Sequence, residues 1–236
     1  MGETTKRGYS PDNQRDFTGL ALETMEQAAE ELYFLLNRGY PIKGASTFIG
    51  NHYLLSERQR IALARIVSSE KNIAARKTKQ NYSANMAGSI VNIDGFNQII
   101  TLEIALSESP ILLCMDETFR DLAGLRGTYS LIDKTDTAIR LIISELQSLY
   151  IKKAVFWLDA PVSNSGRLKK RIAEIGEEKN FEIEIQIVNN VDKILYGLSN
   201  VISSDSIILD HCTSWLNLNE GILSRLPGIW IIDVNK

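Results

Sequence analysis

Ser89-Ile90-Val91-Asn92-Ile93-Asp94-Gly95-Phe96-Asn97 is the stretch whose reading decides the fold. Its first five residues form a short apolar run that reads as a buried strand, closed by an acid and a glycine. Gln98 to Leu106 follows, with Ile99, Ile100, Leu102, Ile104 and Ala105 suited to a helix packed on a sheet. An acid at the carboxyl end of a parallel strand points into the crevice where open α/β sheets bind ligands. The placement recurs downstream. Asp116 follows Ile111-Leu112-Leu113-Cys114-Met115, and Asp159 follows Ala154-Val155-Phe156-Trp157-Leu158. Asp205 follows Val201-Ile202-Ser203-Ser204, with Asp210 five residues further on. Carboxylates gathered at strand ends repel one another unless a cation sits between them, and magnesium or manganese accepts such oxygen ligands.

Working outward, short apolar runs alternate with helical stretches. Ser89–Ile93, Ile111–Cys114, Ala154–Leu158, Glu182–Val188, Asn200–Ser203 and Ile229–Val234 read as strands, and the longest helix between them spans about residues 135–149. This rhythm predicts a three-layer α/β domain over residues 89–236 with one mostly parallel sheet. Residues 1–88 read as a small all-helical, basic region. Ser10-Pro11 opens a long helix that Gly39 stops, and a second, short helix runs from Pro41 to Ile49 and ends at Gly50. Ser56-Glu57-Arg58-Gln59 has the form of a capping box. Residues 71–88 show no apolar period and read as a linker.

The chain of 236 residues is 44% hydrophobic, enough for a real core, and its net charge is −3. The charge is unevenly spread: residues 1–88 carry 12 Lys/Arg against 9 Asp/Glu, and residues 89–236 carry 14 against 20. Seven basic residues fall between Ser56 and Lys79, among them Arg76, Lys77 and Lys79. Such a patch attracts phosphate backbones, or else is a solvated helix face. Two cysteines without ligand spacing and two histidines give no zinc site. No run is long enough to span a bilayer and no hydrophobic signal region opens the chain, so the expectation is a soluble, cytoplasmic protein. A homodimer is left open.

Asp94-Gly95-Phe96-Asn97 and Ser203-Ser204-Asp205 resemble motifs of the PIN-like nuclease superfamily, in particular its NYN branch. The resemblance covers residues 89 to about 215. It implies a PIN-like three-layer α/β/α fold in which an acid cluster binds magnesium or manganese and a metal-held water cleaves a phosphodiester. By that resemblance Asp94, Asp159 and Asp205 are the catalytic acids, and Asp210 is the acid of the following helical turn. Asp116 joins the metal ligands on placement alone. Leu36-Asn37-Arg38-Gly39-Tyr40-Pro41, Gly50-Asn51-His52-Tyr53, Arg58-Gln59-Arg60, Arg120-Asp121-Leu122-Ala123-Gly124 and Pro161-Val162-Ser163-Asn164-Ser165-Gly166-Arg167 carry a second, whole-chain resemblance. By these segments the chain is identified as a member of a prokaryotic family, the domain-of-unknown-function four-three-four proteins.

Substrate contacts are expected from Asn97, from Arg120 and Arg126, and from the turn before a helix at Leu168–Glu178. In that turn Ser163, Asn164, Ser165 and Arg167 offer hydroxyls, backbone N–H groups and a guanidinium to a phosphate. Arg120 and Arg126 have a second reading as partners of Glu117 and Asp121. Arg76, Lys77 and Lys79 are expected to guide nucleic acid, RNA before DNA, into the acidic cleft. The leading expectation is thus a metal-dependent nuclease. The rivals are a binding module for RNA or protein on the same fold, and a phosphotransferase using Asp94 as nucleophile. The last is weakened by Phe96, which stands where such enzymes place a second acid.

Overall fold

The computed structural model describes residues 5–123 and 127–235. The amino-terminal region is helical: α1 (Asn13–Phe17), α2 (Leu20–Asn37), α3 (Ile42–His52), α4 (Glu57–Ile66) and α5 (Glu70–Lys79). Met25, Ala28, Ala29 and Leu32 bury one stripe of α2 at helical spacing. The long first helix expected from Ser10 is broken, because Gly19 adopts φ +54° between α1 and α2. Gly50 does not end α3 but lies within it, where an added Cβ would meet the Arg60 guanidinium. The capping box of α4 is formed: Gln59 N donates to Ser56 Oγ at 3.2 Å, and Ser56 N donates to Gln59 Oε1 at 2.9 Å. Residues 71–88 are not a linker throughout. Asn72 N donates to Ser69 Oγ, which starts α5, and the helix continues to Lys79.

The α/β part continues with β1 (Ile90–Asp94), α6 (Gly95–Leu106), β2 (Ile111–Leu113), β3 (Phe119–Arg120) and α7 (Thr135–Ser148). Next come β4 (Lys153–Asp159), α8 (Ser165–Glu178), β5 (Glu182–Val188) and α9 (Val191–Leu195). It ends with β6 (Val201–Ile202), α10 (Ser206–His211), α11 (Leu218–Leu223) and β7 (Ile231–Asp233). The strands form two sheets where one was expected. The larger is all parallel, in the order β5-β4-β1-β6, with Asp94 opposite Trp157 and Ile93 opposite Ile202. The smaller has the order β3-β2-β7, with β2 parallel to β7 and antiparallel to β3.

Helix α6 ties the two together. It touches β1 and β4 of one sheet and β2 of the other, and Ile99, Leu102 and Ile104 are buried in the main core. Its start is set by Gly95, where a Cβ would lie 2.5 Å from Leu158 Cδ2 and 3.0 Å from the Trp157 carbonyl oxygen. The glycine after Asp94 is therefore demanded by close approach of the helix to β4, not by an unusual φ. The amino-terminal helices cover the smaller sheet: Phe17, Met25, Leu63 and Ile66 share one apolar cluster with Leu112, Cys114, Ile232 and Val234. Each such fully buried side chain contributes about 1.5–3 kcal/mol. The core therefore runs across residue 88 without a break.

Candidate functional site

Parallel strands of the larger sheet all end at one edge, and each end carries an acid. Asp94 closes β1 and caps α6, Asp159 closes β4, Asp205 follows β6 and caps α10, and Asp192 opens α9 after β5. Together they line a cavity of about 330 Å³. The opposite wall comes from the amino-terminal helices and the smaller sheet: Arg65 of α4, Arg120 of β3, and Asp121. Asp94 lines the cavity and is buried, 7% exposed. It accepts hydrogen bonds from Ser203 Oγ at 2.9 Å and Asn97 N at 3.4 Å. Asn97 faces the same space, and its Oδ1 accepts from the backbone N–H and hydroxyl of Ser204, both at 3.0 Å. Asp159 Oδ1 accepts from Val191 N at 3.1 Å.

Asp94 is pushed up to about 7, by burial first and then by the negative charges of Asp205 and Asp192, against the lowering effect of its two hydrogen bonds. Asp159 is raised by burial, and Asp192 by burial and then by Asp205 and Asp159. Among the described residues none of these four acids forms an ion pair.

Other expected site residues go elsewhere. Asp116 and Asp210 do not enter this cavity; both are held by Arg76. Arg76 Nη1 lies 2.7 Å from Asp116 Oδ2, and its Nε and Nη2 reach the two oxygens of Asp210 at 2.7 and 3.0 Å. Asp116 follows β2, which belongs to the smaller sheet, and it also accepts from Thr118 Oγ1 at 2.6 Å. Burial alone would raise Asp116, but Arg120, the Thr118 hydroxyl and Arg76 outweigh it and hold the carboxyl below its ordinary range. Asp210 is five residues from Asp205, more than one helical turn of 3.6, so its side chain turns away from Asp205.

Arg76 is thus an internal strut, 3% exposed, rather than a guide for nucleic acid. Lys77 pairs with Glu117 at 3.1 Å, and Lys79 donates to the carbonyls of Leu209 and Asp210 at the end of α10. The 161–167 turn is bound into the fold as well. Ser163 Oγ donates to the Tyr129 carbonyl at 3.0 Å and accepts from Tyr129 N at 2.9 Å, and Asn164 Nδ2 donates to the same carbonyl at 2.7 Å. Ser165 is buried, Arg167 is exposed, and neither lines the cavity. Arg126 lies outside the described residues.

Among the charged residues that line the cavity, Asp192 and Asp121 escaped the sequence reading of the site, and Arg65 entered it only as a member of the basic stretch. Asp192 stands past the end of the run Glu182–Val188, so the strand-end rule extended by one turn finds it. Arg65 and Asp121 leave no strand-end signal, because they reach the cavity from a helix and a loop distant in sequence.

Residues 83–221 match the family described as Domain of unknown function (DUF5616), and the four acids and Arg120 fall inside that span. The chain belongs to this family. Residues 24–79, which include Arg65 and Arg76, match a second description, Protein of unknown function (DUF434). Uncharacterized protein MJ0935 of Methanocaldococcus jannaschii is 38% identical over 186 residues, 79% of this chain and 89% of its own. No solved structure matches the chain. No helix among the described residues is long and apolar enough to cross a membrane.

Proposed function

We propose that this family member is a divalent-metal-dependent nuclease of PIN-like character, acting on RNA in preference to DNA, with its site in the acidic cavity. The observation that carries the reading is the meeting of Asp94, Asp159, Asp192 and Asp205 at one sheet edge, none of them in an ion pair among the described residues. The donors are hard oxygens, the type magnesium and manganese take. Among the described residues no three acids approach closely enough to enclose an ion by themselves. That suits magnesium, which keeps several waters and is held by one or two carboxylates together with substrate phosphates. Asp94 and Asp205 are the residues to hold it. When bound, the metal supplies positive charge against the phosphodiester and lowers the pKa of water at the site.

The chain's own groups do the rest. Ser203 and the Asn97 backbone fix the Asp94 carboxylate, so its oxygens face the cavity in one orientation. Asp159 has one oxygen tied to Val191 N, and burial raises its proton affinity, which fits it to hold a proton at the other. Asn97 is locked by Ser204 and offers its amide to a ligand in the cavity.

The test is cleavage of a labelled single-stranded RNA with magnesium or manganese, comparing the parent chain with Asp94→Asn and Asp205→Asn. Metal-dependent cleavage that both variants lose is the expected result. Equal residual cleavage in the parent and both variants would identify a contaminant. A second reading, a nucleic-acid-binding module that does not cleave, is favoured by the open spacing of the acids. It predicts RNA binding with no products.

A further inference from the structure

The wall facing the acids holds a guanidinium with donors to spare. Arg120 lines the cavity and is 9% exposed. Of its five N–H donors, one reaches a partner, Nη1 to Ser206 Oγ at 3.3 Å. Its Nε and Nη2 are buried with no hydrogen bond among the described residues, and Nη2 stands 3.9 Å from Asp116 Oδ2. Asp116 does not need that arginine to complete its bonding, because Arg76 and Thr118 already satisfy its oxygens. Buried N–H groups without acceptors are costly, and in folded proteins such groups almost always have partners. Arg65 stands beside Arg120 on the same wall, about one-third exposed, with its Nη1 on the Asp121 carbonyl. The cavity therefore holds both signs of charge, the four acids of the sheet edge and Asp121 together with the guanidinium groups of Arg65 and Arg120, beside the apolar Phe96, Ile100 and Ala123.

We propose that Arg120 is the phosphate-binding group of this cavity, positioned by Ser206 and Asp116, and that the ligand is a nucleotide whose phosphate lies between Arg120 and the acid wall. A phosphate fits both demands at once. It presents several acceptor oxygens to a planar fork of donors. Its charge also lets it share a cation with carboxylates that would otherwise repel it. The Arg76 strut has a role in this arrangement: it neutralises Asp116, so Asp116 steers Arg120 without consuming its donors. The inference rests on the nuclease reading for the shared cation and for taking the phosphate to belong to a nucleic acid.

The experiment is calorimetric binding of adenosine 5′-monophosphate, inorganic phosphate and adenosine to the full chain in magnesium. None of these is a phosphodiester, so the measurement does not depend on cleavage. The expected result is binding of the monophosphate, no measurable binding of adenosine, and at least a tenfold weaker monophosphate affinity in Arg120→Gln. Arg120→Lys, which keeps the charge but not the fork, should fall between the two. Monophosphate binding tighter than inorganic phosphate identifies a nucleotide subsite; equal affinities identify a site for the phosphate group alone and remove the nucleotide from the proposal. Adenosine binding as tightly as the monophosphate, or an unchanged affinity in Arg120→Gln, overturns it. If Arg120→Gln does not fold, Ser206→Ala decides: it frees the guanidinium nitrogen bonded to Ser206, and an unaltered monophosphate affinity rejects the positioning. Arg120-dependent binding without RNA cleavage would sink the nuclease reading and leave this inference standing. Cleavage with Arg120-independent binding would do the reverse.

Discussion

Two sets of carboxylates stand just beyond strand ends of the same chain, and they are finished differently. Asp116 and Asp210 enclose Arg76, and the Asp116 carboxyl sits below its ordinary range. Asp94, with Asp159, Asp192 and Asp205 around it, has no ion-pair partner among the described residues, and its carboxyl is pushed up to about 7. Both central aspartates are buried, so burial does not separate them. The arginine does. A carboxylate set that carries its own cation is completed structure, whereas a set without one is left with a charge demand that a ligand can meet.

The comparison breaks most visibly at Arg76. Arg76→Ala leaves Asp116 charged and buried, and should cost about 3–5 kcal/mol by urea denaturation. A loss within 1 kcal/mol, on the order of a surface pair, would mean that Arg76 is not the strut described here.

Asp94 should respond in the opposite direction. Its folded value near 7 lies above the ordinary 3.8, so between those pH values the native state keeps a proton that the unfolded chain has released. Stability therefore falls as pH rises through that window. Asp94→Asn removes the penalty. In chelator it should be roughly 2–4 kcal/mol more stable than the parent at pH 8 and about equal to it at pH 4. A gain that does not depend on pH would show that Asp94 is not held in this way.

Gly95→Ala sharpens the geometry rather than the charge. The new methyl meets Leu158 and the Trp157 carbonyl, so α6 must retreat from β4, at a cost of about 1–3 kcal/mol. Asp94 should lose its raised value with the shift, read as a flatter pH dependence of stability. Lys77→Ala is the smallest case: its pair with Glu117 is exposed at both ends, and unfolding should change by no more than about 0.5 kcal/mol.

Much of the acid edge was legible because it is local. A strand run, an acid and a helix start lie within a dozen residues at Asp94, and the same pattern marks Asp159 and Asp205. Pairing between strands is not local. The two residues of β3 leave no periodic signal, so the smaller sheet was hidden, and with it the reason that Asp116 faces Arg76 instead of Asp94. The basic stretch was read from charge alone. Composition counts cations but does not show that Arg76 is buried between two carboxylates or that Lys79 caps the end of α10. Gly95 was legible as a motif member, while its reason, the nearness of β4, appears only in three dimensions.

The central claim is that the arginine-free acids, and not the arginine-bound ones, take the metal. Manganese binding followed by electron paramagnetic resonance tests it directly, on the parent chain, Asp94→Asn and Asp210→Asn. The parent and Asp210→Asn should bind manganese alike, while Asp94→Asn should lose at least tenfold in affinity. Retained binding in Asp94→Asn, or loss confined to Asp210→Asn, would contradict it.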